Sequence, residues 1–182
     1  AQAATKAPAV GGSLVIGFDI EPKNFDIHVE EREHLRTMLR NVYDTLVVKA
    51  PDGSLQPGLA SSWEVSSDGL SYTFRLRRDV KFHDGTPFNA EAVKFNFDRI
   101  VDPATESRWA IQLLGPYDKT EVLDEYTARV KLKEPYGPFL EAATQVFLGM
   151  VSPTAAKQWG KEYYLHQIGT GPFVFKEYIA KD

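Results

Sequence analysis

With 182 residues, 43% of them hydrophobic and 25% charged, the chain can bury the core of one ordinary domain, or of one domain plus part of another. A net charge of −4, with Lys and Arg interleaved among Asp and Glu, excludes the basic stripe that a nucleic-acid partner requires. The lack of cysteine removes disulfides, thiolate metal ligands and thiol nucleophiles together.

Residues 1–12, within "AQAATKAPAVGGS", are small and without periodicity, and are expected to form a flexible leader. Such an end remains when a signal peptide is cleaved at a small-residue site, so a periplasmic or other extracytoplasmic location is expected. "SLVIGF", Ser13 to Phe18, is a compact apolar run that predicts a buried strand. In "EEREHLRTMLRNVYDTL" the residues Leu35, Met38, Leu39, Val42 and Leu46 recur at helical spacing, with Glu30, Glu31 and Glu33 crowding the start. This predicts a helix packed on one face, with its acids where the helix dipole favours them.

"LVVKAPDGSLQPGLASSWEV" predicts a strand, a Pro-Asp-Gly turn and a second extended segment ending at Trp63 to Val65. In "SYTFRLR" Tyr72, Phe74 and Leu76 alternate with Thr73, Arg75 and Arg77, as in a half-buried antiparallel strand. "TEVLDEYTARVKL" predicts a hairpin with Ala128, Val130 and Leu132 facing inward. Helices are expected at Ala90–Ile100, Pro138–Thr144 and Thr154–Trp159, and "GTGPFVFKEY" reads as a turn leading into a strand. The longest apolar run, Val146 to Val151, is far too short to span a bilayer, so no membrane insertion is expected. The fold class is α+β with mostly antiparallel pairing.

Enzyme motifs are absent. His83-Asp84 would pair a base with a carboxylate, but "HDGTPF" places Asp, Gly and Pro where a turn needs them, and Asn89 follows as a helix cap. The histidines His28, His34, His83 and His166 lack the spacing of a helical zinc pair. "GTGPF" is no phosphate cradle, since Pro172 removes a donor amide. No catalytic residue, metal site or cofactor is assigned. Arg32, Arg36 and Arg40 recur every four residues, as a solvated helix face or a contribution to anion binding. Trp109, flanked by Ser107 and Arg108, suits either a core or a partly exposed ring that stacks on a ligand.

Several segments together resemble one family. They are "GGSLVIGFDIEPKNFD", "NVYDTLV", "DGSLQPGLASSWEVSSDGLSYTFRLRRDVKFHDGTPFNAEAVKFNFDRI", "VKLKEPYGPFLEAA", "MVSP" and "GTGPF". The chain is identified by them as a member of the extracytoplasmic solute-binding proteins of ABC importers, in family 5, which takes oligopeptides, dipeptides, nickel complexes and related solutes. The resemblance implies a type II periplasmic-binding-protein clamp, of which this chain is the N-terminal lobe and supplies half of the cleft; the second lobe would follow Asp182. Residues 13–45 and 169–182 would form the inner subdomain, with a mixed sheet bordering the cleft, and residues 46–168 an extra antiparallel α+β outer subdomain.

By the same resemblance the loop "HVEEREH" contacts ligand through Glu31, Arg32 and Glu33, with Arg36 behind them. The aromatic after the "DP" turn corresponds to Trp109, and the segment before "MVSP" offers Gln145 and Phe147. Nickel-type members carry an Arg in that last segment, which "TQVF" lacks. The implied partners are a peptide or peptide-like solute and the transmembrane subunits of an ABC permease. The full-length protein is expected to be monomeric, and the lobe alone to self-associate. The alternatives are another family-5 solute (a nickel complex, an opine, an oligosaccharide), a stand-alone interaction or chaperone-like domain, and, last, a hydrolase.

Overall fold

The computed structural model describes residues 11–17, 24–30, 32 and 35–179; the predicted leader, as far as residue 10, lies outside them. The described helices are α1 (Arg36–Leu39), α2 (Ala90–Val101), α3 (Trp109–Leu114), α4 (Phe139–Ala142) and α5 (Pro153–Trp159). The strands are β1 (Val47–Lys49), β2 (Leu55–Pro57), β3 (Ala60–Val65), β4 (Ser71–Leu76), β5 (Tyr117–Asp124) and β6 (Thr127–Leu132). Short 3-10 segments occupy Pro103–Thr105, Val146–Leu148 and Gly160–Leu165. None of the described helices is long and apolar enough to cross a membrane.

Strands β3, β4, β6 and β5 pair antiparallel in that order, and β1 pairs with β2 as a separate hairpin. The alternation in the sequence fixes which face is buried. Tyr72, Phe74 and Leu76 of β4 and Ala128, Val130 and Leu132 of β6 point into the core, with Phe74 paired to Ala128 and Tyr72 to Val130. The other face carries Glu64, Arg75, Glu121 and Arg129 in loose ion pairs, Arg75 with Glu64 at 3.6 Å and Arg129 with Glu121 at 3.9 Å. Helix α2 lies against β5 and β6. It starts where the sequence places it, because the Asn89 side chain accepts from Ala92 N at 3.1 Å. Phe139 of α4 closes the sheet's inner face, its ring 4.5 Å from that of Tyr72.

Two apolar cores result. The larger gathers the sheet, α2, α4 and Phe147 to Met150. The smaller joins Ile27, Leu35, Leu39, Val42 and Tyr43 to Val146, Val151, Ala155, Ala156 and Tyr163. Apolar packing therefore crosses the line drawn in sequence between residues 13–45 and 46–168.

Three expectations are corrected. The apolar positions Leu35, Leu39, Val42 and Leu46 are buried as their spacing requires, but among the described residues only Arg36–Leu39 are α-helical and no acid stands in the first turn of that helix. Past Leu39 the chain leaves the helix and bonds to groups outside it. Asn41 Nδ2 donates back to Thr37 O at 2.8 Å, while Gly171 N and Phe173 N donate to the Val42 and Asn41 carbonyls, each at 2.9 Å. The predicted buried strand is also not formed over its described residues, Ser13 to Gly17, nor is the strand after "GTGPF". Leu14, Val15 and Ile16 stand exposed, as do Phe173, Val174 and Ile179. No strand pairs with either segment, so among the described residues both sheets are antiparallel and no mixed sheet is present.

Candidate functional site

The turn that precedes α1 is built from acids and amides bonding their own backbone. Asn24 Oδ1 accepts from Asp26 N at 2.7 Å, and Asp26 O accepts from Val29 N and Glu30 N at 3.0 and 2.8 Å. Glu30, almost fully buried, then accepts from Arg32 N at 2.9 Å, with Arg32 Nε 4.0 Å from the same oxygen. Arg32 is thereby held close to the chain, half-buried. Glu31 and Glu33 lie outside the described residues.

One turn further on, Arg36 Nη1 donates to Gln145 Oε1 at 3.1 Å, across 109 positions of sequence. Gln145 precedes the turn Val146–Leu148, against which both α1 and α3 pack. Trp109 opens α3 and is 41% exposed, which selects the open reading of its polar flanks over the core reading. Arg36 and Trp109 are thus carried by two helices that pack on the same turn, at whose start Gln145 stands, with a cation, an aromatic ring and an amide among them. Phe147 is different: its ring is wholly buried in the larger core and touches no solvent. Arg40 is exposed, as on a solvated helix face.

Behind this surface lies a buried polar chain that the sequence pattern did not reveal. Arg99, from the last turn of α2, makes a two-pronged ion pair with Asp26, Nη1 reaching Oδ1 at 3.0 Å and Nη2 reaching Oδ2. Burial opposes the Arg99 charge, yet the hydrogen bonds and charge of Asp26 outweigh it and hold its pKa above the usual value. Arg99 Nη1 also donates to His28 Nδ1 at 2.8 Å, and His28 Nε2 donates to the Gly149 carbonyl at 3.1 Å. Full burial, followed by the neighbouring Arg99 charge, lowers the His28 pKa from 6.5 to about 4, so the ring is neutral at physiological pH. Nearby, Tyr43 and Tyr163 share a hydrogen bond of 3.1 Å, and burial raises both phenols well above their ordinary range. Arg99 lies 73 positions from Asp26 and 71 from His28, so no local motif joins it to them.

His83-Asp84 serves as a turn and as a clasp. Asp84 Oδ1 accepts from Thr86 N at 3.0 Å and Oδ2 accepts from Ser152 Oγ. Burial would raise the Asp84 pKa, but these bonds to Ser152 and Thr86 bring it below the usual carboxylate value. His83 Nε2 donates to Gly171 O at 2.8 Å, while its backbone N donates to Gly169 O at 2.9 Å. Both ring and backbone are thus spent on the "GTG" segment. Gly169 has no room for a side chain, since a Cβ there would stand 2.0 Å from Val42 O.

Residues 54–182 match the sequence model of the family described as bacterial extracellular solute-binding proteins, family 5 Middle. The glutathione-binding protein GsiB of Pectobacterium atrosepticum is 41% identical over 147 residues, which is 81% of this chain and 28% of that protein. Among solved structures, the PBP AgaA of A. tumefaciens R10, in complex with agropinic acid, superposes with a TM-score of 0.80 at 30% identity, covering 87% of this chain and 32% of its own. NikZ of Campylobacter jejuni, in complex with Ni(L-His), superposes with a TM-score of 0.78 at 29% identity, covering 88% and 32%. The chain therefore spans about a third or less of the length of these relatives.

Proposed function

The chain belongs to the bacterial extracellular solute-binding proteins of family 5, and from that premise we propose that it is part of the capturing component of an ABC importer. Its fold is that of the type II periplasmic binding proteins, in part. In this reading it takes a peptide or peptide-like solute outside the cytoplasmic membrane and hands it to the permease. Residues 46–168 form an outer subdomain that widens the pocket, and residues 13–45 with 169–182 the inner part that borders the cleft. The observation that carries the reading is the family match over residues 54–182, and a 41% identical relative named for glutathione, itself peptide-like, supports the solute class.

The chemistry of the surface fits such a solute. Arg36 and Arg32 pair with a carboxylate, the Gln145 amide meets backbone-like groups, and Trp109 stacks on a side chain. Glu31 and Glu33 complete the set by pairing with an ammonium. Recognition of this kind needs no general base, in keeping with relatives that are solute-binding proteins.

Isothermal titration of the natural full-length protein with reduced glutathione and with di- and tripeptides tests the reading. Micromolar or tighter binding is expected, accompanied by a change in Trp109 fluorescence. Arg36→Ala should weaken it by about tenfold or more, the worth of one charge-assisted hydrogen bond. No binding across the panel would sink the solute class, and an Arg36→Ala variant that binds normally would sink the site.

A further inference from the structure

We infer that His28 is a positioning residue of the solute site: its Nε2–H, donated to the Gly149 carbonyl, orients the turn from which Gln145 meets Arg36. The inference rests on the reading of Arg36 and Gln145 as solute contacts.

The geometry runs in one connected line. Asp26 clamps the Arg99 guanidinium, and Arg99 Nη1 donates to His28 Nδ1 at 2.8 Å. A ring nitrogen that accepts carries no proton, so in the neutral ring the proton sits on Nε2 and points at the Gly149 carbonyl, 3.1 Å away. The tautomer is therefore dictated by the ion pair behind it.

Gly149 needs such a hold. A Cβ at this position would stand 2.8 Å from Val146 O and 3.0 Å from Ile27 Cδ1, so only glycine fits. Glycine leaves its peptide planes the freest of any residue, and an external partner must fix the direction of a buried carbonyl. Gly149 N donates to Val146 O and Leu148 N donates to Gln145 O, each at 2.8 Å. The Gly149–Met150 plane, held by His28 at its carbonyl and by the Asp44 carbonyl at Met150 N (3.0 Å), adjoins the short turn that begins at Gln145, whose side chain receives Arg36 at 3.1 Å.

Two conservative variants separate positioning from bulk stability. In His28→Gln the amide nitrogen reaches the place of Nε2 and keeps the donor to Gly149, while the acceptor for Arg99 is lost. In His28→Asn the side chain ends near Nδ1, so the acceptor for Arg99 is kept and the donor to Gly149 is lost. Both should lower the thermal midpoint of the natural full-length protein. His28→Gln should bind reduced glutathione within about twofold of wild type, and His28→Asn about tenfold more weakly, as for one hydrogen bond to a buried carbonyl.

A second readout needs no solute. With ¹⁵N-glutamine labelling, the Gln145 side-chain amide resonance should shift in His28→Asn and stay in place in His28→Gln. Equal losses of affinity in the two variants, or an unmoved Gln145 resonance in His28→Asn, would overturn the inference. So would a wild-type His28 protonated at Nδ1, which histidine ¹⁵N shifts read directly even if both variants unfold. If glutathione binds wild type and the affinity is untouched by Gln145→Ala and Arg36→Ala, the site reading fails instead, whatever His28 does to the turn.

Discussion

Strand β4 and the segment Ser13–Gly17 are both short apolar-rich runs that follow a glycine, yet Phe74 in the first is fully buried and Val15 in the second is 93% exposed. The difference lies in what surrounds each. β4 has β3 on one side and β6 on the other, and Phe139 covers its inner face. Ser13–Gly17 has no ladder partner among the described residues, so its peptide groups and side chains stay in water. Hydrophobicity decides which face a strand would bury; a second backbone decides whether the strand exists. The largest expected effect sharpens this contrast. Phe74→Ala should cost about 3–5 kcal/mol, because it opens a cavity in a packed core. Val15→Ala should change stability by less than about 0.5 kcal/mol. Urea denaturation of the two variants measures both, and similar losses would break the comparison.

Legibility in the sequence follows the same division. The alternation in "SYTFRLR" and "TARVKL" gave the buried faces of β4 and β6 correctly, since each had a local partner within reach of a turn. The start of α2 at Asn89 was equally legible, because a cap acts over three residues. The length of α1 was not, since the carbonyls just past its end bond Gly171 and Phe173, more than 120 positions away. The candidate site divides likewise. The flanks of Trp109 left its core and exposed readings both open until the fold placed it at the start of α3, and the burial of Phe147 depends on the whole of the larger core. The Asp26–Arg99–His28 chain could not be read at all, because Arg99 stands more than 70 positions from the other two and meets them only after folding.

That buried chain is where the well-paired region meets the N-terminal one, and it makes the contact between them sensitive to acid. The folded protein holds His28 at a pKa of about 4, against 6.5 for the ordinary imidazole. In the unfolded chain the ring takes up a proton as pH falls through 6.5, and in the folded chain it does so only near 4. The His28 contribution to stability is therefore complete above pH 6.5, declines between 6.5 and 4, and is spent below that window. The fall amounts to roughly 3 kcal/mol. His28→Gln removes the titrating group, so its unfolding free energy should change less between pH 6.5 and 4 than that of wild type. Parallel pH profiles for the two proteins would mean that the ring is not held neutral, and that the joint between the regions is looser than the geometry implies.

The smallest effect compares the two regions through their helices. α2 runs for 12 residues with Asn89 as a side-chain cap, whereas α1 has four residues, Leu35 at its cap position and no side-chain cap bond. A helix end with its own cap carries part of its stability locally; one without depends on packing alone. Asn89→Ala should therefore lower global stability by about 1 kcal/mol. Thr37→Ala, on the exposed side of α1, should leave it within about 0.5 kcal/mol. Amide hydrogen exchange offers the finer test, since loss of the cap should release the Ala92 amide, which receives it, before the middle of α2. If Ala92 stays as protected in Asn89→Ala as in wild type, α2 is fixed entirely by its contacts with β5 and β6, and the two helices differ only in how much sheet they cover.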